Sequence, residues 1–240
     1  MKQYSPIVFF VIILFWSCTE NIDTYKTQNL VIDSINSNIS KSQIGDTENI
    51  RLESSNKAFF IAVKSKEDSL IYKALYNKIQ TDIIYQHNDS VIYYLEKLKT
   101  IYKAIPNEAS YYFLKGLYYH DISADSSFAS YEKSQKLFVS VGHYERAGYS
   151  LMMMSEIQRL AADYVGAESS MIHALKYYKD SESNYNHIYN VFGLIYRGLY
   201  DYENALQSYN NALKYTDKNN NKERNIIQNN IALIYQEKKD

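Results

Sequence analysis

Small and aromatic residues recur at helical spacing in the segment that covers residues 189–215. Gly193 and Tyr196 lie three residues apart, on one face of a first predicted helix. Asp201 marks a break in this pattern. A second helix is predicted from residues at positions i, i+4 and i+7, which are Ala205, Tyr209 and Ala212. Two helices that place small residues opposite aromatic rings approach closely, so the segment predicts a helical hairpin.

The same pattern returns along the chain at a nearly constant distance. The small residues of four successive first helices are 39, 38 and 39 residues apart, and they are Gly116, Ser155, Gly193 and Ala232. In the hairpin that contains Ser155, the small residues of the second helix are Ala167 and Ala174. A steady period of this length indicates stacked helical repeats, each of which buries one face on its neighbour.

The period divides the chain into predicted segments. Residues 108–240 hold the clear repeats, with boundaries predicted at 108–142, 144–181, 186–219 and, for an incomplete last repeat, 225–240. Residues 47–107 form a degenerate helical region. Within it we predict a lone helix over 47–65 and a hairpin of helices over 68–87 and 89–103. We therefore expect an all-α fold of about eight or nine helices without a sheet.

These residues resemble the tetratricopeptide repeat, whose pattern is a large residue, Leu-Gly, Tyr, Ala, an aromatic residue and Ala. In the hairpin at 186–219 those places are taken by Tyr189, Gly193, Tyr196, Ala205, Tyr209 and Ala212. The usual unit has about 34 residues, and the extra residues here lie between hairpins, as at 217–222. The resemblance implies an α-solenoid of antiparallel helix pairs. In that family the first helices line a concave groove that binds peptides or partner helices.

The resemblance also implies which side chains face that groove. The matching positions are Phe113, His120, Tyr149, Met152, Glu156, Arg159, His187, Asn190, Leu194 and Arg197. Arg159 and Arg197 come from adjacent repeats, and with His187 and Asn190 they are expected to hold a carboxylate or an acidic peptide. The alternative is that each arginine is solvated or paired with a neighbour such as Glu156.

The last predicted repeat, 225–240, contains a first helix alone. Its Tyr235 aligns with Tyr196, so Asp240 aligns with Asp201. Because Tyr202 and a second helix follow Asp201, we expect another tyrosine and a second helix after Asp240. In a chain that ended at Asp240, this helix would expose an apolar stripe. The residues of the stripe are Ile227, Ile231 and Ile234.

The N-terminus carries the features of an export signal. Lys2 precedes an apolar run of 11 residues, from Pro6 to Trp16. Because a membrane-spanning helix needs about 20 apolar residues, this run fits the core of a signal peptide, which we predict at 1–17.

The cysteine that follows the apolar run is the only one in the chain. Ser17-Cys18 resembles a bacterial lipobox, which implies that Cys18 carries lipid and becomes the mature N-terminus. The alternative is an ordinary signal peptide followed by an incidental cysteine. Thr19 at the next position favours the outer over the inner membrane, by the sorting of known lipoproteins. Residues 18–46 are polar, and we predict a flexible tether there, with a short helix at 30–40.

Composition and motifs exclude several functional classes. With a net charge of −1 and a pI near 6.5, the protein has no strong positive potential that would attract nucleic acid. Walker A, GxGxxG, GxSxG, HExxH and CxxC motifs are all missing, and the five histidines lack the spacing of metal ligands. We therefore expect neither an enzyme nor a cofactor or metal site.

Three functions fit these features. The first is the sensory or scaffolding input segment of a bacterial signalling or regulatory protein, because related repeat proteins continue into a kinase or helix-turn-helix output domain. The second is a free-standing outer-membrane lipoprotein adaptor. The third, a glycan-capturing lipoprotein, is disfavoured because the only tryptophan, Trp16, lies in the signal. The first two require a protein partner in the groove. A lipid on Cys18 is the membrane anchor of the second, whereas for the first, whose relatives carry a membrane helix after the repeats, it would be an additional anchor.

The lipobox interpretation predicts that the thiol of Cys18 is acylated. Cells that produce the protein and are fed an alkyne-tagged fatty acid should label the wild type, whereas Cys18→Ala should lose the label because no other cysteine is available. Equal labelling of the two proteins, measured after gel separation, would refute the lipid anchor.

Overall fold

The computed structural model describes residues 27–101, 105–178 and 184–238, and it contains eleven α-helices in those ranges. The helices are α1 (27–44), α2 (Glu48–Ser65), α3 (Asp68–Ile84), α4 (Asn88–Ile101), α5 (Ile105–Tyr119), α6 (Ala124–Ser140), α7 (Tyr144–Leu160), α8 (Tyr164–Tyr177), α9 (Tyr185–Gly198), α10 (Tyr202–Tyr215) and α11 (Asn221–Glu237). The predicted all-α class is confirmed, but the predicted count of eight or nine helices is too low. None of the described helices combines the length and apolarity needed to cross a bilayer.

The chain divides into two compact units, Met1–Ile101 and Tyr102–Asp240. In the first unit, α1 occupies much of the segment for which a flexible tether is predicted. Ile35 and Ile39 are buried on α1 against Ala58, Ala62 and Ala74 of α2 and α3. The two isoleucines lie four residues apart on one helical face, and burial of this face stabilises a segment whose other positions are mostly polar.

A buried ion pair connects α3 to α4 in the first unit. Lys78 and Asp82, one turn apart on α3, form this pair, and neither side chain is more than 5% exposed. The second carboxylate oxygen of Asp82 accepts a hydrogen bond of 2.6 Å from Ser90 Oγ. The Lys78 ammonium also lies 5.2 Å from the centre of the Tyr94 ring on α4. Each buried charge therefore has partners, which offsets the loss of its hydration.

The second unit has a helical repeat-like fold in which each helix packs against the next one along the chain, from α5 to α11. We call α5, α7, α9 and α11 the first helices, and α6, α8 and α10 the second helices. The second helices and α11 begin at side chains that accept a hydrogen bond from the first turn, namely Ser123, Asp163, Asp201 and Asn220. The first helices also contact one another, α7 with α9 and α9 with α11.

Small residues bring the two helices of each hairpin close together. Gly193 lies so near the Tyr209 ring that a Cβ atom would overlap it, and a Cβ on Gly116 would lie 2.6 Å from the Tyr131 ring. The middle hairpin has Ser155 instead, whose hydroxyl donates a hydrogen bond of 2.9 Å to the Ala167 carbonyl. The second-helix small residues predicted from the repeat are fully buried, and they are Ala167, Ala174, Ala205 and Ala212.

The last helix differs from the expectation for an exposed apolar stripe. Ile227 and Ile234 are buried against α10, and Ile231 is partly buried there. Ala232, which aligns with the buried Gly193, is instead exposed. The reason is that Tyr209 covers Gly193, whereas among the described residues no second helix covers Ala232. The exposed apolar residues of α11 are Ile226, Leu233 and Tyr235.

The contact of Gly193 with Tyr209 predicts that the effect of Gly193→Ala on the free energy of unfolding changes sign when Tyr209 is replaced by a smaller residue. Inside a helix alanine is favoured over glycine by about 1 kcal/mol, but overpacking costs about 1–3 kcal/mol. Gly193→Ala should therefore lower the free energy of unfolding by about 1 kcal/mol. In a Tyr209→Met background, which copies Met171 of the middle hairpin, the same change should raise it. Denaturant unfolding measures both effects, and an equal loss in both backgrounds would contradict this packing.

Candidate functional site

The ten predicted groove residues lie on α5, α7 and α9 or, for His120, directly after α5. Phe113 and Met152 are buried, at 5% and 4% exposure, so they support the surface from beneath. Tyr149 and His187 are exposed. The others are half-buried, and they are His120, Glu156, Arg159, Asn190, Leu194 and Arg197. We call the surface that carries these residues, together with the adjoining side of α11, the first-helix face.

Its end nearest α5 is aromatic. The rings of Phe113 and Tyr149 lie 5.3 Å apart at 30°, and Phe113 also lies 5.5 Å from the ring of Tyr131. The Arg146 guanidinium of α7 donates a hydrogen bond of 3.0 Å to Ser110 Oγ of α5. Since Tyr149 is 44% exposed and packs on the buried Phe113, this end has an aromatic ring that a ligand can contact.

The centre of the face carries a carboxylate among basic groups. Arg159 Nε and Nη2 donate hydrogen bonds of 2.8 and 2.6 Å to the two oxygens of Glu156, one turn away on α7. This pairing lowers the pKa of the Glu156 carboxyl, and the charges of His120 and His187 act in the same direction. The central carboxylate thus interacts with groups from α5, α7 and α9. The structure contains the predicted alternative in which Arg159 pairs with Glu156.

The end nearest α11 is polar. Asn186 Nδ2 donates to Glu223 at 2.6 Å, and Asn230 Nδ2 donates to Asn190 Oδ1 at 3.1 Å. In the third bridge, Arg197 Nε donates to both oxygens of Glu237 at 3.0 and 3.1 Å, and Arg197 Nη2 also donates to this carboxylate. The α11 members of the bridges, Glu223, Asn230 and Glu237, are seven residues apart, so they lie on one side of that helix.

A cavity of about 460 Å³ is lined by residues of α7, α8, α9, α10 and α11 and of the turn before α10. We call it the arginine cavity, and its lining residues are Arg159, Tyr164, Leu194, Arg197, Gly198, Tyr200, Tyr202 and Glu237. Arg159 and Arg197 thus line one space. Gly198 allows this arrangement because a Cβ there would overlap the Tyr164 ring. Tyr200 sits in the turn before α10 with φ 59° and is 78% exposed.

The buried hydroxyl of Tyr209 interacts electrostatically with both arginines. Burial raises the pKa of the Tyr209 phenol to about 12, whereas the charges of Arg197 and Arg159 act to lower it. The Tyr209 hydroxyl therefore lies within electrostatic reach of both guanidinium groups. It is buried and has no hydrogen-bond partner among the described residues. This part of the unit is rich in hydrogen-bond donors, which suits it to an anionic acceptor.

Several residues of this site carry no signal in the repeat pattern. Glu237 lies 40 residues from Arg197, and only the packing of α11 on α9 brings the two together. The seven-residue spacing of Glu223, Asn230 and Glu237 is the one sequence signal that indicates a common side of α11. The predicted lipidation site Cys18 lies outside the described residues. Within the described ranges, no group of three His, Cys, Asp or Glu side chains is placed to hold a metal ion.

The pairing of Arg159 with Glu156 predicts a change in acid titration. Arg159→Gln should raise the pKa of the Glu156 carboxyl toward its usual value of about 4.3, as measured by carbon-detected NMR titration. A carboxyl with a lowered folded-state pKa contributes stability above its unfolded pKa and loses it as pH falls through the folded pKa. Glu156→Gln should therefore flatten the fall in stability below pH about 4. An equally steep fall in Glu156→Gln and in the wild type would contradict this role of the pair.

Comparisons with known proteins show the fold but no family. No protein-family model matches the chain, and no curated protein matches it. Among solved structures, the chain is similar to the crystal structure of BtubC (BKLC) from P. vanneervenii, with a TM-score of 0.63 and 13% identity. The similarity covers 86% of this chain and 83% of BtubC. At this level of identity it supports a helical repeat-like fold and carries no function.

Proposed function

We propose that this chain is a tetratricopeptide-type protein-interaction module that works as the input segment of a bacterial signalling or regulatory protein. The observation that carries the proposal is the first-helix face, where exposed and half-buried side chains of α5, α7 and α9 form one surface. In this proposal the hairpins are turns of an α-solenoid, and the first helices line its groove. The role is binding without catalysis and without a cofactor.

The chemistry of the face supports a peptide or helix as its ligand. The exposed ring of Tyr149, which packs on the buried Phe113, offers an apolar anchor near α5, and the arginine cavity offers charged donors near α11. Between them, Glu156 adds an acceptor. Such a surface, apolar at one end and hydrogen-bonding at the other, fits a segment whose side chains vary in the same way along its length.

The proposed place of the module is the bacterial cell envelope. The signal peptide at 1–17 and the lipid on Cys18 would export the chain and hold it at a membrane, with the outer membrane favoured by Thr19. These features come from the sequence pattern alone. The predicted lipid also favours a second candidate, a free-standing outer-membrane lipoprotein adaptor, because one anchor is sufficient for that role. Translation of the gene past codon 240 separates the two: an apolar run of about 20 residues and an output domain favour the input segment.

The interaction function predicts face-specific crosslinking. A photoreactive benzoylphenylalanine at position 149 should capture a protein partner in intact cells, because Tyr149 lies on the first-helix face. The matched control is position 172 on α8, since Ile172 and Tyr149 have the same exposure of 44%. Mass spectrometry should identify the same adduct from position 187 but none from position 172. Equal capture at positions 149 and 172 would contradict the proposal.

A further inference from the structure

Arg197 already binds a carboxylate that the chain supplies itself. Arg197 Nε lies 3.0 and 3.1 Å from the two oxygens of Glu237, and Nη2 donates to the same group. This two-point contact is the way in which a guanidinium recognises a carboxylate. Glu237 comes from α11, whereas Arg197 belongs to α9. The structure therefore shows which ligand chemistry the arginine cavity accepts, with a side chain of the protein as its occupant.

The cavity retains donors that this occupant does not use. Glu156 accepts from Nε and Nη2 of Arg159, and Glu237 accepts from the same two atoms of Arg197. For both arginines, the described residues provide no hydrogen-bond acceptor for Nη1. Because Arg159 and Arg197 line one cavity of about 460 Å³, there is room for a second carboxylate. A second carboxylate and Glu237 would repel each other, so the two compete for this space.

The element that carries Glu237 is lightly attached. Its fully buried residues are Ile227 and Ile234, and Ile231 is partly buried beside them. Arg224 ties the first turns of α11 to the end of α10, whereas three side-chain bridges connect α11 to α9. Of these bridges, the one at Glu237 holds the last turn of α11. In a repeat fold each helix is stabilised mainly by its neighbours, so loss of one bridge changes the local opening of that turn rather than the whole unit.

We propose that the arginine cavity is a binding site for a carboxylate ligand, and that this ligand takes the place of Glu237 on Arg197 and releases the last turn of α11. The inference rests on the proposed interaction function and names the chemistry of its ligand. The tyrosines of the cavity wall, Tyr164, Tyr200 and Tyr202, favour a carboxylate attached to an apolar body. Tyr200 is a bulky residue at positive φ, where Ala162 holds the equivalent turn, so local geometry does not require an aromatic ring there.

The test uses the full chain and 3-phenylpropionate as the probe, with 3-phenylpropionamide as its uncharged counterpart. Glu237→Gln removes the competing charge and keeps the side-chain shape, so it should bind the acid about tenfold more tightly than the wild type. The matched control is Glu223→Gln, since Glu223 is also a bridging carboxylate of α11 but does not line the cavity. It should bind like the wild type. Arg197→Lys keeps the charge but loses the planar fork, and it should weaken binding.

Hydrogen exchange reports the release of α11. Saturating probe should speed amide exchange at residues 232–238 of the wild type, and Glu237→Gln should show fast exchange there without the probe. The inference is overturned if Glu237→Gln and Glu223→Gln bind the acid equally, if the amide binds as well as the acid, or if exchange does not change. If position 149 captures no protein but the binding and exchange results are as expected, the proposed interaction function is wrong and the carboxylate site in the cavity still stands.

Two peptide probes identify the source of the carboxylate. A peptide that ends in phenylalanine with a free carboxylate is compared with the same peptide amidated at its C-terminus. Tighter binding of the free-acid peptide than of 3-phenylpropionate supports the cavity as the site for a protein's chain end. Equal binding of the two acids supports it as a site for a small free acid.

Discussion

The close approach of first and second helices is the constraint on which the second unit depends. In the hairpins of α5 with α6 and α9 with α10, a glycine leaves space for a tyrosine ring, and in the hairpin of α7 with α8 a serine takes the glycine position. A larger residue at Gly116 or Gly193 would overlap the tyrosine ring and force the two helices of its hairpin apart. The register of the first helices, and with it the position of each side chain on their common face, follows from this packing.

That register also explains why the site changes character along the unit. The position that Phe113 holds on α5 and Met152 on α7 is taken by Asn190 on α9, and the position of Tyr149 on α7 is taken there by His187. As a result, α5 and α7 meet through the rings of Phe113 and Tyr149, while α9 and α11 meet through side-chain hydrogen bonds. One backbone arrangement, repeated, thus presents two different chemistries at its ends, and the arginines lie toward the polar end.

Much of the fold could be predicted because the hairpin contacts are local. Gly193 and Tyr209 are close in sequence, so their spacing is sufficient to predict that they pack together. The same repeat register predicts that Arg159 lies near Arg197. The partner of Arg197 could not be found in this way, because Glu237 reaches it only through the stacking of α11 on α9. The burial of Ile35 on α1 was similarly hidden, since asparagine and serine dilute its apolar face and make the segment resemble a linker.

The buried ion pair of the first unit has a consequence for how this protein can change in evolution. Lys78 and Asp82 compensate each other away from water, so replacing either residue alone would leave an unpaired charge in the core, at a cost of about 3–5 kcal/mol. Ser90 and Tyr94 on α4 are fitted to the same pair. Lys78 and Asp82 are therefore expected to change together: relatives should keep both charges, or have exchanged both for apolar residues.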